Sequence, residues 1–506
     1  MHPMKKLILL FTLLLVVSGV YAALPQPDLI AQIHFVGAQK ISASANANAF
    51  TNEFCSAEAL ALRIQTANRL SVWLAGWLQK NTGVTVADGA AKLRPLFDDL
   101  QKSEWFLEAR AVANGKPQVT IVIQLDAARA QIWQASLKPF FPAAGFKFSD
   151  GWLTFVPDTD SSALGNSLVK KLFQPVDKNV WLTLDINWPR LAQWYSDYKS
   201  LGLPETQFTV TAPDDNLRIN GKFYFTENLV LNLEPWRVPT NTLHQPFVSF
   251  TAVRGFAAWF AAQPWAQAYQ ISPTPNQYFT WAMAQIPYQT FAAVPVADAA
   301  NALAQAYARL EPVVQPPGGS AGMFLGASKL TLTNNEITLT GVPFVSPFMR
   351  ATKEPSGQFL LAGAFPNTPR SKPLPPELFQ RLAEKNLVFY HWEITAERLP
   401  TALNLSQLGF VITSHRQLGG ESAAMKWIQK TAPKLGNTVT EIVQTGPAEM
   451  TFTRKSPGIF TAVEMLALGH WLEAPNFPGC DLRLPPRSAL KKFHPHPPAA
   501  LPAPSK

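Results

Sequence analysis

A strand that runs directly into a helix recurs along this chain. Six segments alternate apolar and polar residues, reach a helix-capping residue, and then continue with the spacing of a helix. The period changes from two residues to about 3.6 at the capping residue, which is typical of a strand that ends where a helix begins. Each capping residue is of a type that accepts hydrogen bonds from the free N–H groups of a helix's first turn. The aligned residues are Asp126, Asn187, Thr251, Asp298, Thr395 and Thr461.

Hairpin signals lie between several of these copies. Asp150-Gly151 separates two alternating strands, and Asn334-Asn335 separates another pair. Dipeptides of this kind are typical of tight turns between antiparallel strands. We therefore predict an α+β fold of about six repeated strand–helix–hairpin units in two lobes, with sheets backed by helices.

The six copies divide three and three. A boundary between Gln263 and Gln277 predicts an N-terminal α+β lobe over residues 23–265 and a C-terminal α+β lobe over residues 266–480. A competing boundary is the stretch from Gln315 to Gly322, whose prolines and glycines are typical of a linker. That boundary would cut the fourth unit.

The N-terminus has the three parts of a secretory signal peptide. Lys5 and Lys6 precede an apolar run from Leu7 to Val17, and Ala22 ends a small-residue cleavage pattern. The run is shorter than the roughly 20 residues that a membrane-spanning helix needs. We expect a cleaved signal peptide over residues 1–22 and an exported protein, periplasmic or extracellular. Its retention as an anchor is the alternative, and no transmembrane span is predicted after it.

The net charge of +9 is concentrated at the two ends of the chain. The signal peptide carries two lysines, and residues 483–506 carry five basic residues and no acidic ones, which leaves +2 for the rest. A nearly neutral, exported body argues against a nucleic-acid partner. Residues 481–506 are also rich in proline, and we predict a basic, disordered tail there.

The chain contains two cysteines, Cys55 and Cys480. In an oxidising compartment such a pair can form one disulfide, and two buried free thiols are the alternative. No histidine or further cysteine lies at ligand spacing, so this pair is not a predicted metal site.

Arginine follows the capping residue by three positions in four copies, as Arg129, Arg190, Arg254 and Arg398. A row of cations could line a groove for an anionic partner. Alternatively, each arginine lays its stem on the adjacent sheet and pairs with a local carboxylate. Because the same residue recurs in different copies, we favour the structural interpretation.

His391 and Glu393 lie two residues apart on a predicted strand, so their side chains share a face. Such a pair could act as acid and base or bind a metal ion. The equivalent positions in other copies are also polar, namely Gln124, Asp185 and Ser249. A polar residue there is a property of the repeat, which favours a structural role.

Fifteen tryptophans are a large number for this chain. They could stack on sugars or line a lipid pocket. Three of them, Trp133, Trp194 and Trp259, hold similar positions in the repeat, seven or eight residues after the capping residue. That equivalence predicts packing in the core.

No catalytic or cofactor motif is present. The sequence lacks a GxSxG elbow, an HExxH pair, a phosphate-binding loop and a GxGxxG turn. We therefore predict no catalytic residues, no cofactor and no metal, and lean against an enzyme. The leading hypothesis is an exported, non-enzymatic scaffold that binds an envelope protein, polymer or lipid. The alternatives are an exported hydrolase with a site between the lobes and a carrier of lipid or another hydrophobic ligand.

Overall fold

A computed structural model describes most of the chain between residues 28 and 479. The described ranges are 28–111, 117–157, 179–194, 202–263, 266, 274–283, 289–314, 328–342, 345–365, 372–373, 376–413 and 421–479. The predicted signal peptide, the predicted basic tail and Cys480 lie outside these ranges.

Strands and helices are mixed along the described chain, which confirms the α+β class. The pairings between strands reported below are all antiparallel. In chain order the strands are β1 (Leu29–Phe35), β2 (Trp105–Arg110), β3 (Gln118–Gln124), β4 (Gly145–Ser149), β5 (Trp152–Val156), β6 (Val180–Ile186), β7 (Glu205–Thr211), β8 (Leu217–Tyr224), β9 (His244–Gln245), β10 (Phe247–Arg254), β11 (Gln277–Met283), β12 (Thr290–Val296), β13 (Lys329–Leu332), β14 (Glu336–Thr340), β15 (Phe348–Glu354), β16 (Gly357–Gly363), β17 (Lys372–Pro373), β18 (Leu387–Ile394), β19 (Asn437–Gly446) and β20 (Glu449–Ser456).

The helices differ widely in length. In chain order they are α1 (Ala38–Ser42), α2 (Asn48–Phe54), α3 (Ala57–Thr82), α4 (Gly89–Lys102), α5 (Ala127–Leu137), α6 (Trp188–Trp194), α7 (Ala257–Ala262), α8 (Ala299–Val314), α9 (Thr395–Thr413), α10 (Ala423–Thr431) and α11 (Ala462–Glu473), with 3-10 helices at Pro376–Ala383 and Ala432–Lys434. Among the residues described, no helix combines the length and the apolar character needed to cross a membrane.

Contacts divide the described chain into two compact units. The first contains residues up to Leu229 together with Leu418–Cys480, and the second contains Val230–Gln417. The sequence predicted a division between residues 265 and 266, because the six copies of the repeat divide three and three there. The two predicted lobes and the six-fold repeat therefore stay predictions.

Each unit has its own antiparallel ladder of strands. In the first unit the strand order is β4-β5-β3-β2-β1-β6-β7-β8-β20-β19. In the second unit it is β18-β10-β11-β12-β16-β15-β14-β13, with β9 and β17 paired separately. The order β5-β3-β2-β1-β6 in the first unit thus corresponds to β16-β12-β11-β10-β18 in the second.

Four of the predicted capping residues begin helices in the structure. Asp126 accepts a hydrogen bond from the N–H of Arg129, and Thr461 forms a reciprocal capping box with Glu464. The side chains of Asn187 and Asp298 each accept a bond from the N–H three residues later. Local side-chain chemistry therefore sets these strand-to-helix junctions, as the sequence indicated.

The predicted junction at Thr251 is wrong. Strand β10 continues through Thr251 to Arg254, and α7 begins only at Ala257. Gly255 makes the turn with φ +81°, and a Cβ there would lie 2.9 Å from Leu233 Cδ2. Glycine fits both the backbone conformation and the close approach.

The two faces of the first unit's sheet differ in chemistry. One face carries apolar residues such as Ile33, Trp105 and Ile123, which belong to the large hydrophobic core of this unit. The residues between them point to the other face, where many are polar and several of these are buried beside a small apolar cluster of Phe106 and Val122. His34, Glu108, Thr120, Gln207 and Thr209 are each less than 5% exposed. Buried polar groups of this kind need partners, so this face is a natural place to look for chemistry.

Candidate functional site

The repeat arginines of the first unit both contact nearby protein groups. The Arg129 guanidinium forms an ion pair with Asp99 at 2.6 Å and donates to the carbonyl of Pro95. Asp99 also accepts a hydrogen bond from Trp133 Nε1 at 2.9 Å. Arg190 donates to the carbonyl of Leu29 on β1. These contacts tie helices α5 and α6 to neighbouring elements.

Arg254 of the second unit is almost completely buried. Its side chain is 2% exposed and donates to the carbonyls of Leu387, Glu234, Glu384 and Lys385 at 2.7 to 2.9 Å. The guanidinium also lies 4.6 Å from the ring centroid of Trp236. Burial lowers the pKa of Arg254, and Glu234 opposes that shift.

Arg398 lies near the start of α9. Its Nη1 donates to Thr290 Oγ1 at 3.2 Å. Burial lowers the pKa of the guanidinium, and the carboxyl group of Glu393 opposes the shift. All four repeat arginines therefore have contacts within their own unit. An anion-binding groove along them stays a prediction, and the contacts favour the structural interpretation.

His391 and Glu393 share one face of β18, as the sequence predicted. His391 Nε2 lies 3.2 Å from Glu393 Oε2, and His391 Nδ1 lies 2.7 Å from Thr251 Oγ1 across the pairing with β10. Thr395 donates to Glu393 Oε1 at 2.7 Å. A hydroxyl, an imidazole and a carboxylate thus stand in sequence, with Glu393 only 1% exposed.

The first unit has a similar arrangement, but the histidine and the threonine have exchanged strands. Its β1–β6 pair corresponds to β10–β18 and places His34 opposite Thr183, and Gln32 opposite Asp185. A histidine–threonine pair with a carboxylate two residues along therefore occurs at the same register in both units. This recurrence favours a structural role for the polar sheet face.

His34 has a partner that sequence reasoning missed. Its Nε2 lies 2.8 Å from Glu104 Oε1, and its ring stacks on Phe106 at a centroid distance of 3.9 Å. Lys40 pairs with the other oxygen of Glu104. Partners separated by about 70 residues left no local sequence signal, because the sheet pairing alone brings them together.

Trp259 corrects the prediction that equivalent tryptophans pack in the core. Trp133 is 2% exposed and fits that prediction, whereas Trp259 is 62% exposed. The reason is the shifted junction at Gly255, which moves α7 away from the position that the repeat alignment assumed. Helix α7 consists only of apolar residues, and none of them is buried.

A partly exposed apolar surface surrounds Trp259, with Phe256 and Phe260 half-buried. We define the α7 surface as Phe256, Ala258, Trp259, Phe260 and Ala261. Phe256 and Phe260 contact each other with ring centroids 6.0 Å apart. Residues 255–297 contain no Asp, Glu, Lys, Arg or His, although charged residues make up 15% of the chain. The α7 surface therefore begins a long segment without charge.

Cys55 is exposed and follows helix α2. Since Cys480 is outside the described ranges, the disulfide between them stays a prediction. Across the part of the chain that is described, no group of three or more histidine, cysteine, aspartate or glutamate residues is arranged to hold a metal ion.

Comparisons with known proteins identify no matching family, no matching curated protein and no matching solved structure. A function for this chain therefore has to follow from its own residues.

Proposed function

We propose that this chain is an exported, non-enzymatic binding protein that docks on a lipid bilayer through the α7 surface. The observation that carries the proposal is that α7 is wholly apolar and buries none of its residues. Soluble proteins rarely expose a contiguous apolar patch unless it contacts a partner or a membrane. The predicted signal peptide supports export to a place where bilayers are accessible.

The absence of charge favours a bilayer over a protein partner. Specific protein interfaces surround an apolar centre with a polar rim, whereas no residue from Gly255 to Gln263 carries a charge that could orient a partner. Tryptophan is enriched at membrane interfaces because its ring is apolar and its N–H is polar. Trp259 and the two phenylalanines of the α7 surface fit that zone.

Vesicle binding tests this proposal. We expect the mature protein to sediment with phosphatidylcholine vesicles, and Trp259→Glu to lower the partition coefficient at least about tenfold, because burying an aromatic ring contributes roughly 2 kcal/mol. Neutral phosphatidylcholine isolates the contribution of α7, because the basic residues 483–506 would attract the protein to anionic lipid independently of the α7 surface. Leu332→Glu is the matched control, because Leu332 is 42% exposed on β13 of the same unit. No sedimentation, or equal sedimentation of both variants, would refute docking through α7.

We also infer that the two units derive from one repeated plan. The shared strand order and the recurring histidine–threonine pair support this inference. Such a duplication fits a scaffold protein, because both units keep the same strand order while surface segments such as α7 differ between them.

Hydrolysis is a second candidate, favoured by the alignment of Thr251, His391 and Glu393. In that case the Thr251 hydroxyl would attack an acyl carbonyl while His391 Nδ1 accepts its proton and passes it to the alcohol or amine that leaves. Water would then hydrolyse the ester on Thr251 and release the carboxylic acid. A fluorophosphonate probe distinguishes the two functions. We expect no adduct. An adduct on Thr251 that is lost in His391→Gln would replace the binding proposal with a hydrolase.

A further inference from the structure

The longest helix among the described residues leaves an apolar stripe exposed. Helix α3 packs its inner face, which includes Leu62, Ala67 and Leu70, into the first unit. On its outer face, Leu60 is 49%, Ile64 is 45% and Val72 is 63% exposed. The outer face of a surface helix is ordinarily polar, so this stripe indicates a contact surface.

The stripe complements itself in an antiparallel arrangement. Positions 60, 64, 68, 72 and 76 are spaced four apart and form one ridge, the pattern by which helices commonly pack together. If a two-fold axis passes at Asn68, Ile64 of one copy lies opposite Val72 of the other. Leu60 then lies opposite Gly76, where a Cβ would meet no atom within 4 Å. A large side chain therefore faces a small one at both ends of the contact.

One polar residue lies on the same axis. Asn68 is exposed, and its Oδ1 accepts a hydrogen bond from Arg94 Nε at 2.6 Å within the same chain. The amide N–H groups of Asn68 can still donate to Asn68 Oδ1 of the second copy, and such a pair on a two-fold axis fixes the register.

We propose that the outer face of α3 is a homodimer interface, in which two copies of this chain pack antiparallel about Asn68. The interface belongs to the first unit and does not depend on the α7 surface. A single pair of helices buries less than the roughly 800 Å² per partner of a standard interface, so the dimer is weak, with a dissociation constant on the order of micromolar.

Sedimentation of the mature protein tests the interface. Over about 1 to about 500 µM, we expect a shift from monomer to dimer. Ile64→Asp should raise the dissociation constant at least about tenfold, because it buries a charge in an apolar contact. Ile132→Asp is the matched control, since Ile132 is 37% exposed on α5 of the same unit. Circular dichroism should show both variants folded. A monomer at every concentration, or a dimer unaffected by Ile64→Asp, overturns the proposal.

Cysteine cross-linking tests the orientation. In a Cys55→Ser, Cys480→Ser background, Asn68→Cys should form an intermolecular disulfide upon oxidation, because the axis brings the two positions together. Lys80→Cys should not, since the two copies of position 80 would be separated by about 24 residues of helical rise, roughly 36 Å. Cross-linking at both positions, or only at position 80, would overturn the antiparallel arrangement.

Discussion

Arg254→Ala is expected to lower the free energy of unfolding of the second unit by about 3–5 kcal/mol. The guanidinium joins β10 to two other segments, because its acceptors are the carbonyl of Glu234 and, in the turn that leads into β18, the carbonyls of Glu384, Lys385 and Leu387. Removing the donors leaves these carbonyls without that partner in a buried place, and each unsatisfied buried group costs about 1–3 kcal/mol. The lost packing on Trp236 adds to the effect.

Urea unfolding monitored by circular dichroism measures this loss. Arg350→Ala is the matched control, because Arg350 is 44% exposed and pairs with Glu336 on the surface of the same unit. Exposed pairs of this kind contribute about 0–1 kcal/mol. Arg254→Lys should fall between them, since lysine keeps the charge but cannot reach all these carbonyls with one ammonium group. Equal losses for Arg254→Ala and Arg350→Ala would contradict the role assigned to Arg254.

The position of Arg254 shows where sequence reasoning failed. Threonine caps helices but is also favoured in strands, so Thr251 alone could not show which role applied. The structure continues β10 for three more residues because both neighbours, β11 and β18, pair with it as far as Val253 or Arg254. Those pairings involve residues far away in sequence, which no local pattern reveals.

The junctions at Asp126 and Thr461 could be predicted because their chemistry is local. Each capping side chain binds an N–H three residues later, so sequence spacing contains the whole interaction. The same holds for the Asp150-Gly151 turn, where both residues adopt positive φ between β4 and β5. The candidate sites, in contrast, depend on contacts between residues that are far apart in the sequence. Neither the partner of His34 nor the exposure of Trp259 could be read from neighbouring residues.

Glu53 is a further group that the sequence did not single out. It lies on α2, is completely buried, and accepts the N–H of Ile459 at 2.9 Å with both carboxyl oxygens. Burial raises the pKa of Glu53 to about 8, while the N–H groups of Ile459 and Phe460 and the charge of Arg454 oppose the shift, and Glu464 adds to it. The folded protein therefore keeps this carboxyl group protonated at neutral pH.

Stability of the first unit should consequently fall as pH rises. The folded pKa is higher than the unfolded value, so between pH 4.5 and about 8 the folded state binds more protons than the unfolded state. The contribution of Glu53 is complete below the unfolded pKa and is lost as pH rises through the folded pKa. The total loss is on the order of 5 kcal/mol, at about 1.4 kcal/mol for each pH unit between the two values.

Glu53→Gln should remove this dependence, because glutamine does not ionise and its carbonyl can still accept the N–H of Ile459. We expect the variant to be more stable than the wild type at pH 8.5 and to approach or fall below it at pH 5, as measured by urea midpoints across that range. Other titrating groups are common to both proteins, so the difference isolates Glu53. Glu421→Gln is the control, since Glu421 is 93% exposed and should leave the curve parallel to that of the wild type. A difference between Glu53→Gln and the wild type that does not vary with pH would mean that Glu53 is already ionised in the folded protein.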